Sequence, residues 1–273
     1  MLDTGLHGRV ALVTGANQGI GAAAATALAA EGVATFLTYL RLDPEAQRGE
    51  PYPPEYARAR AQDAGEVLRR IREAGGSAGA VEADLADPST PGRVFDRAEQ
   101  AFGPVEILVN NASAWLADTF VPAERDRFGR RTRPVGPASH DQLFHVDARA
   151  SALLVAEFAR RHIERAGSWG RIIGLTSGGR QGFPGEVSYG AAKAAMESYT
   201  MAAALELGRY GVTANVLHPP VTDTGWVNRA VEQAARETGP LFHVALPSEV
   251  AEVIVLLASH QARFVTGQAI ELH

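Results

Sequence analysis

The chain has 273 residues, a formal net charge of -5, 46% hydrophobic residues and no cysteine. That much apolar content can bury a sizeable core, and the negative balance argues against a general grip on nucleic acid. The missing cysteines exclude disulfides, thiolate metal sites and cysteine nucleophiles, and fit a reducing compartment.

In chain order, strand-length apolar runs at 9–14, 35–39, 78–82, 107–110, 171–176, 213–217 and 268–272 alternate with helical stretches near 20–30, 56–73, 91–102, 139–165, 188–210 and 247–259. The strands are rich in Val, Ile and Leu rather than alternating, as expected when both faces of a parallel sheet are covered. The alternation predicts βαβ units in one α/β domain spanning 1–273, a Rossmann-type doubly wound parallel sheet of about seven strands. No apolar run approaches the ~18 residues of a membrane span. The N-terminus lacks a basic, apolar and small-residue leader, so a soluble cytoplasmic protein is expected.

Two segments break the rhythm. Residues 43–55 hold four prolines, with Pro51, Pro53 and Pro54 close together, and read as a loop. Residues 114–138 carry Arg125, Arg127, Arg130, Arg131 and Arg133. That length favours a function, and the basic cluster could meet an anionic substrate group; a solvated surface insertion is the preferred reading.

Thr14-Gly15-Ala16-Asn17-Gln18-Gly19-Ile20-Gly21 follows the first strand and opens the first helix. Its glycines permit a tight turn and a close backbone approach to phosphate, and the helix N-terminus offers N–H groups to a pyrophosphate. Farther on, Tyr189 and Lys193 stand four apart and share a helix face. An ammonium beside a phenol favours the phenolate, which can exchange a proton with a carbonyl or hydroxyl oxygen. Ser177, upstream, could polarise the same oxygen. The scattered histidines form no metal-ligand pattern, and no metal is expected.

The glycine turn, Asp84-Leu85, Asn110-Asn111-Ala112-Ser113, Ser177, Tyr189 with Lys193, and Val265-Thr266-Gly267-Gln268 together resemble the short-chain dehydrogenase/reductase family, in the family's order. The likeness is greatest to members that include 3-oxoacyl-carrier-protein reductases. The resemblance implies a cofactor cradle at Gly15, Asn17, Gln18, Gly19, Ile20 and Gly21. It places Asp84 on the adenine amino group with Leu85 beside it, and Asn111 near the adenosine ribose. Asn110 would tie neighbouring strands. It makes Tyr189 the general acid in reduction and the base in oxidation, has Lys193 lower the tyrosine pKa and hold ribose hydroxyls, and has Ser177 hold the substrate oxygen. Thr222 and Thr224 would meet the carboxamide or phosphate. Helices 139–165 and 188–210 would join subunits in a homodimer or homotetramer.

Cofactor choice turns on the end of the second strand, where an acid holds a ribose 2′-hydroxyl and a base admits a 2′-phosphate. Tyr39 takes the usual acidic place and Arg41 follows, which favours NADP over NAD; Asp43 is the alternative acid. Three departures from the family stand out. The Ser177–Tyr189 interval is one residue short, which makes Thr176 a rival hydroxyl. Asp147 replaces the usual Asn of the proton relay, and Pro219-Pro220 replaces Pro-Gly. The expected activity is hydride transfer between nicotinamide and a carbonyl or secondary alcohol. Trp115, Phe183, Trp226 and Phe242 are candidates for an apolar substrate pocket. The alternative is a non-catalytic NAD(P)-binding regulator on the same scaffold; Asp147 and Pro220 motivate it, and the intact Ser177, Tyr189 and Lys193 argue against it.

Overall fold

The computed structural model describes residues 3–47, 53–126, 128–177, 182–238 and 243–273. Pro51, Arg127 and Phe242 lie outside the described residues. Seven strands form one parallel sheet: β1 (Val10–Val13), β2 (Ala34–Tyr39), β3 (Ala78–Glu82), β4 (Ile107–Asn110), β7 (Gly170–Leu175), β8 (Val212–His218) and β9 (Ala269–Glu271). Their spatial order is β3-β2-β1-β4-β7-β8-β9. The order reverses between β1 and β4, and a crevice opens there beyond the carboxyl ends of the strands.

The apolar runs become strands because neither face meets water. Every residue of β1, β4 and β7 is buried. One face packs under α1 (Gly19–Ala30) and α9 (Pro247–Ala258), with Leu28 and Ile254 fully buried. The other packs under α4 (Thr90–Phe102), α6 (Ser151–Glu164) and α7 (Val187–Leu207), with Phe95 and Phe158 fully buried. Burying such a side chain contributes about 1.5–3 kcal/mol.

The predicted helix at 56–73 is two helices, α2 (Pro54–Ala61) and α3 (Gly65–Glu73). Gln62 turns to extended backbone between them, and Asp63 Oδ1 accepts the Gly65 N–H at 2.8 Å. The predicted helix at 139–165 is also interrupted. α5 (Pro137–Leu143) passes into a π-helical segment, Phe144–Ala150, before α6 begins. Such wide turns are rare and concentrate at functional sites.

The arginine-rich insertion is structured. Its short strands β5 (Asp118–Thr119) and β6 (Arg133–Pro134) pair in parallel. Asp118 is fully buried and accepts hydrogen bonds from Ser139 Oγ and the Ser188 N–H, both at 2.8 Å. A carboxylate at the first turn of α7 suits the helix dipole and pins the insertion to that helix. Helix α8 (Arg229–Thr238) follows the loop after β8 and has no counterpart among the predicted elements. No described helix is long and apolar enough to cross a membrane.

Candidate active site

A cleft of about 870 Å³ lies over the carboxyl ends of the strands. One end is the glycine turn. Gly15 and Gly19 have φ of 63° and 58°, which favour glycine. At Gly21 an added Cβ would lie 2.4 Å from the Gly15 carbonyl oxygen and 2.5 Å from Asn111 Nδ2. These three positions therefore need glycine for this close-packed turn at the start of α1, and the space above it fits a dinucleotide phosphate. Asn17, Gln18, Ile20, Tyr39, Asp84, Leu85, Asn111, Thr222 and Thr224 all line the same cleft.

Several of these side chains also do structural work. Asn111 Nδ2 donates to the carbonyls of Thr14 and Gly15, at 2.9 and 3.0 Å, and so staples β4 to the turn. Asn110 pairs with Gly174 in the β4–β7 ladder, and its side-chain amide reaches the Ser151 carbonyl at 3.4 Å, at the start of α6. Asp84 Oδ1 accepts the Ala86 N–H at 2.8 Å. Thr222 Oγ1 donates to the Pro220 carbonyl at 2.8 Å.

Arg41 does not line the cleft. Parallel pairing places Tyr39 beside Glu82, so Arg41 emerges next to that carboxylate. Its Nη2 and Nε lie 2.7 and 2.9 Å from Glu82 Oε2. Sheet register, invisible in the local sequence, brings this arginine and Glu82 together. The basic residue that does line this end is Arg60 of α2.

At the other end, α7 presents Tyr189 and Lys193 from one face. The hydroxyls of Ser177 and Ser113 lie beside that of Tyr189 and favour its ionised form. Ser177 thus meets the tyrosine despite the shortened interval. Ser113 had no assigned role, and its place directly after Asn110-Asn111-Ala112 was the signal for it. Lys193 is 3% exposed and Asp147 is fully buried. Lys193 Nζ donates to the Leu175 carbonyl at 2.9 Å and lies 3.0 Å from Asp147 Oδ1. Asp147 sits in the π-helical segment, and its Oδ2 accepts the Ala114 N–H at 3.0 Å. Its Oδ1 takes no well-aligned hydrogen bond, so charge holds the pair.

The Tyr189 pKa is raised, contrary to the expected lowering by Lys193. Burial is the main cause, the Asp147 and Glu186 carboxylates add to it, and the Ser177 and Ser113 hydrogen bonds oppose it. Asp147 offsets the ammonium that would otherwise favour phenolate.

The outer wall carries aromatic rings. Trp115, Phe183 and Trp226 line it, and the Phe183 ring centroid is 6.0 Å from that of Tyr189. Arg130, 6% exposed, joins these walls. It pairs with Asp126 at 2.6 Å and with Glu186, the residue preceding α7. Its guanidinium lies 5.0 Å from the Trp115 ring centroid and 5.8 Å from that of Trp226. Trp115 Nε1 donates to Glu186 Oε2 at 3.0 Å. Burial disfavours the Arg130 charge, but Glu186 and Asp126 outweigh it and raise the pKa. One arginine against two carboxylates leaves this cluster formally -1. Arg130 is therefore a poor anchor for an anionic substrate group. Among the described residues no group of three or more His, Cys, Asp or Glu side chains is placed to hold a metal.

A family profile described as enoyl-(acyl carrier protein) reductase matches residues 15–272. The uncharacterized oxidoreductase YjdA of Bacillus subtilis is 31% identical over 96% of this chain and 94% of its own. Versicolorin reductase stcU of Emericella nidulans is 30% identical, over 97% of this chain and 94% of its own. A solved short chain dehydrogenase from Burkholderia cenocepacia, in complex with NADP, superposes with a TM-score of 0.80 at 29% identity, covering 98% of this chain and 97% of that one.

Proposed function

The chain belongs to the short-chain dehydrogenase/reductase family of NAD(P)-dependent enzymes, and from that premise we propose an NADP-preferring carbonyl reductase with Tyr189 as its general acid. The observation that carries the reading is the cluster around that hydroxyl. Tyr189 meets Ser177 and Ser113, the Lys193–Asp147 pair lies behind it, and the glycine turn borders the same cleft.

The residues divide the work as follows. The turn from Gly15 to Gly21 holds the pyrophosphate, while Leu85 and Asp84 line the adenine end. A nicotinamide cofactor held there would supply the hydride taken up by the carbonyl carbon. Tyr189 gives its hydroxyl proton to the carbonyl oxygen, and Ser177 hydrogen-bonds that oxygen as charge develops. Lys193, fixed between Leu175 and Asp147, keeps a cation beneath the phenol as the proton leaves. One carbonyl and one proton from solvent become one alcohol, with NADPH oxidised to NADP. In the oxidative direction the Tyr189 phenolate takes the alcohol proton.

NADP preference is supported by the NADP complex of the Burkholderia relative and by the absence of a carboxylate at Tyr39. The aromatic wall and the internally paired Arg130 favour an uncharged carbonyl substrate. The test is NADPH consumption on a panel of ketones, with Tyr189→Phe as the comparison. The variant should lose on the order of 10²–10⁴ in kcat/KM and still bind NADPH. Equal turnover by both proteins would remove Tyr189 from the mechanism.

A further inference from the structure

Arg60 is the one cleft-lining arginine without a carboxylate partner among the described residues. Its Nη1 is buried there with no hydrogen-bond partner. The helix that carries it is fastened at two points. The Arg60 carbonyl accepts the Leu42 N–H at 3.0 Å, just past β2. Asn17 Nδ2, in the glycine turn, donates to the Gln62 carbonyl at 2.9 Å. Helix α2 therefore bridges the β2 exit and the phosphate turn, and Arg60 faces the part of the cleft that Tyr39 and Leu42 also line.

Tyr56, one turn before Arg60, has its ring centroid 5.3 Å from the guanidinium. The same tyrosine reaches the loop after β8, where a Cβ on Gly225 would sit 3.6 Å from Tyr56 Cδ2. The other charges near Tyr39 are Arg41, Glu82 and Asp63. Arg41 pairs with Glu82 at the surface, and none of the three lines the cleft. A cation without a carboxylate, held at the β2 end of a dinucleotide crevice, is placed for a ribose 2′-phosphate. A guanidinium suits that group because its planar fork gives paired, charge-assisted hydrogen bonds to phosphate oxygens.

We propose that Arg60, and not Arg41, recognises the 2′-phosphate of NADP. This rests on the NADP preference proposed above, whose other supports are independent of Arg60. The sequence interval between β2 and Arg60 conceals the role, because α2 comes back to the strand end only through its folded contacts.

The test is calorimetric binding of 2′,5′-ADP and 5′-ADP to the full chain, for wild type and for Arg60→Gln, Arg60→Lys and Arg41→Gln. Wild type should bind 2′,5′-ADP more tightly. Arg60→Gln should weaken 2′,5′-ADP by roughly ten- to a hundredfold, the range of a lost charge-assisted pair, and leave 5′-ADP within about twofold. Arg60→Lys should recover part of the loss, and Arg41→Gln should stay within about twofold for both ligands. A selective loss in Arg41→Gln with none in Arg60→Gln would overturn the assignment and leave NADP preference standing. An equal loss of both ligands in Arg60→Gln, with an unchanged melting temperature, would also overturn it, since α2 would then merely cover the cleft. Equal wild-type affinity for the two ligands would refute the NADP preference itself, and the role of Arg60 with it.

Discussion

At Tyr189, burial and two carboxylates hold the hydroxyl proton on the oxygen. Reduction requires that protonated form, and oxidation requires the phenolate. A raised pKa therefore keeps reductive kcat/KM level into the alkaline range. Oxidative kcat/KM should climb through neutral pH by about one log unit per pH unit. Asp147→Asn removes one of the charges that raises the tyrosine pKa, so the alkaline fall in reduction should begin at lower pH and oxidation near neutrality should speed up. Initial rates in both directions from pH 6 to 10 would show this. Superimposable profiles for variant and wild type would mean that Asp147 has no hold on the proton. Lys193 would still donate to the Leu175 carbonyl, so the variant should keep the lysine in place.

At the level of elements, the catalytic helix is braced by an insertion that the sequence suggested was a solvated loop. Asp118 bonds to the first turn of α7, and Arg130 pairs with Glu186 at its start. Breaking that brace should alter substrate handling more than cofactor binding. Arg130→Met leaves the buried Asp126 and Glu186 carboxylates without their cation, a loss of about 3–5 kcal/mol for a broken buried pair. Glu186→Gln is the milder probe. It leaves Arg130 balanced by Asp126 alone, so the wall becomes formally neutral. The preference for uncharged over anionic ketones, read as a ratio of kcat/KM values, should narrow while NADPH affinity holds. An unchanged ratio would show that the wall charge does not select substrate.

Local motifs explain what the sequence revealed. The glycine turn and the Tyr189–Lys193 face are contiguous, and backbone geometry alone brings their members together. Contacts made by distant segments were not legible. Glu82 meets Arg41 through β2–β3 register, and Arg60 reaches the β2 exit through a helix broken at Gln62. Glu186 and Arg130 become neighbours only because β5 and β6 fold the insertion back onto α7. The π-helical turn at Phe144–Ala150 has no residue pattern of its own, yet it carries Asp147 to Lys193.

For the whole molecule, one doubly wound sheet sets both halves of the cleft, since β1 and β4 flank the switch point and β7 leads into Ser177. Helix α7 also leaves two large apolar side chains exposed, Tyr199 at 47% and Leu205 at 87%. We propose that the exposed surface around Leu205 meets a second copy of the chain in a dimer or tetramer. Sedimentation should give one of those masses, with Leu205→Glu shifting it toward the monomer. A wild-type monomer at micromolar concentration would contradict that assembly. A deuterium label tests hydride transfer and its coupling to the Tyr189 proton most directly. Wild type given NADPH deuterated at the transferable C4 position and an uncharged ketone should yield an alcohol one mass unit heavier at the carbinol carbon. Tyr189→Phe should yield almost none while binding the same cofactor. An unlabelled alcohol, or labelled alcohol formed equally fast by the phenylalanine variant, would contradict hydride transfer coupled to the Tyr189 proton.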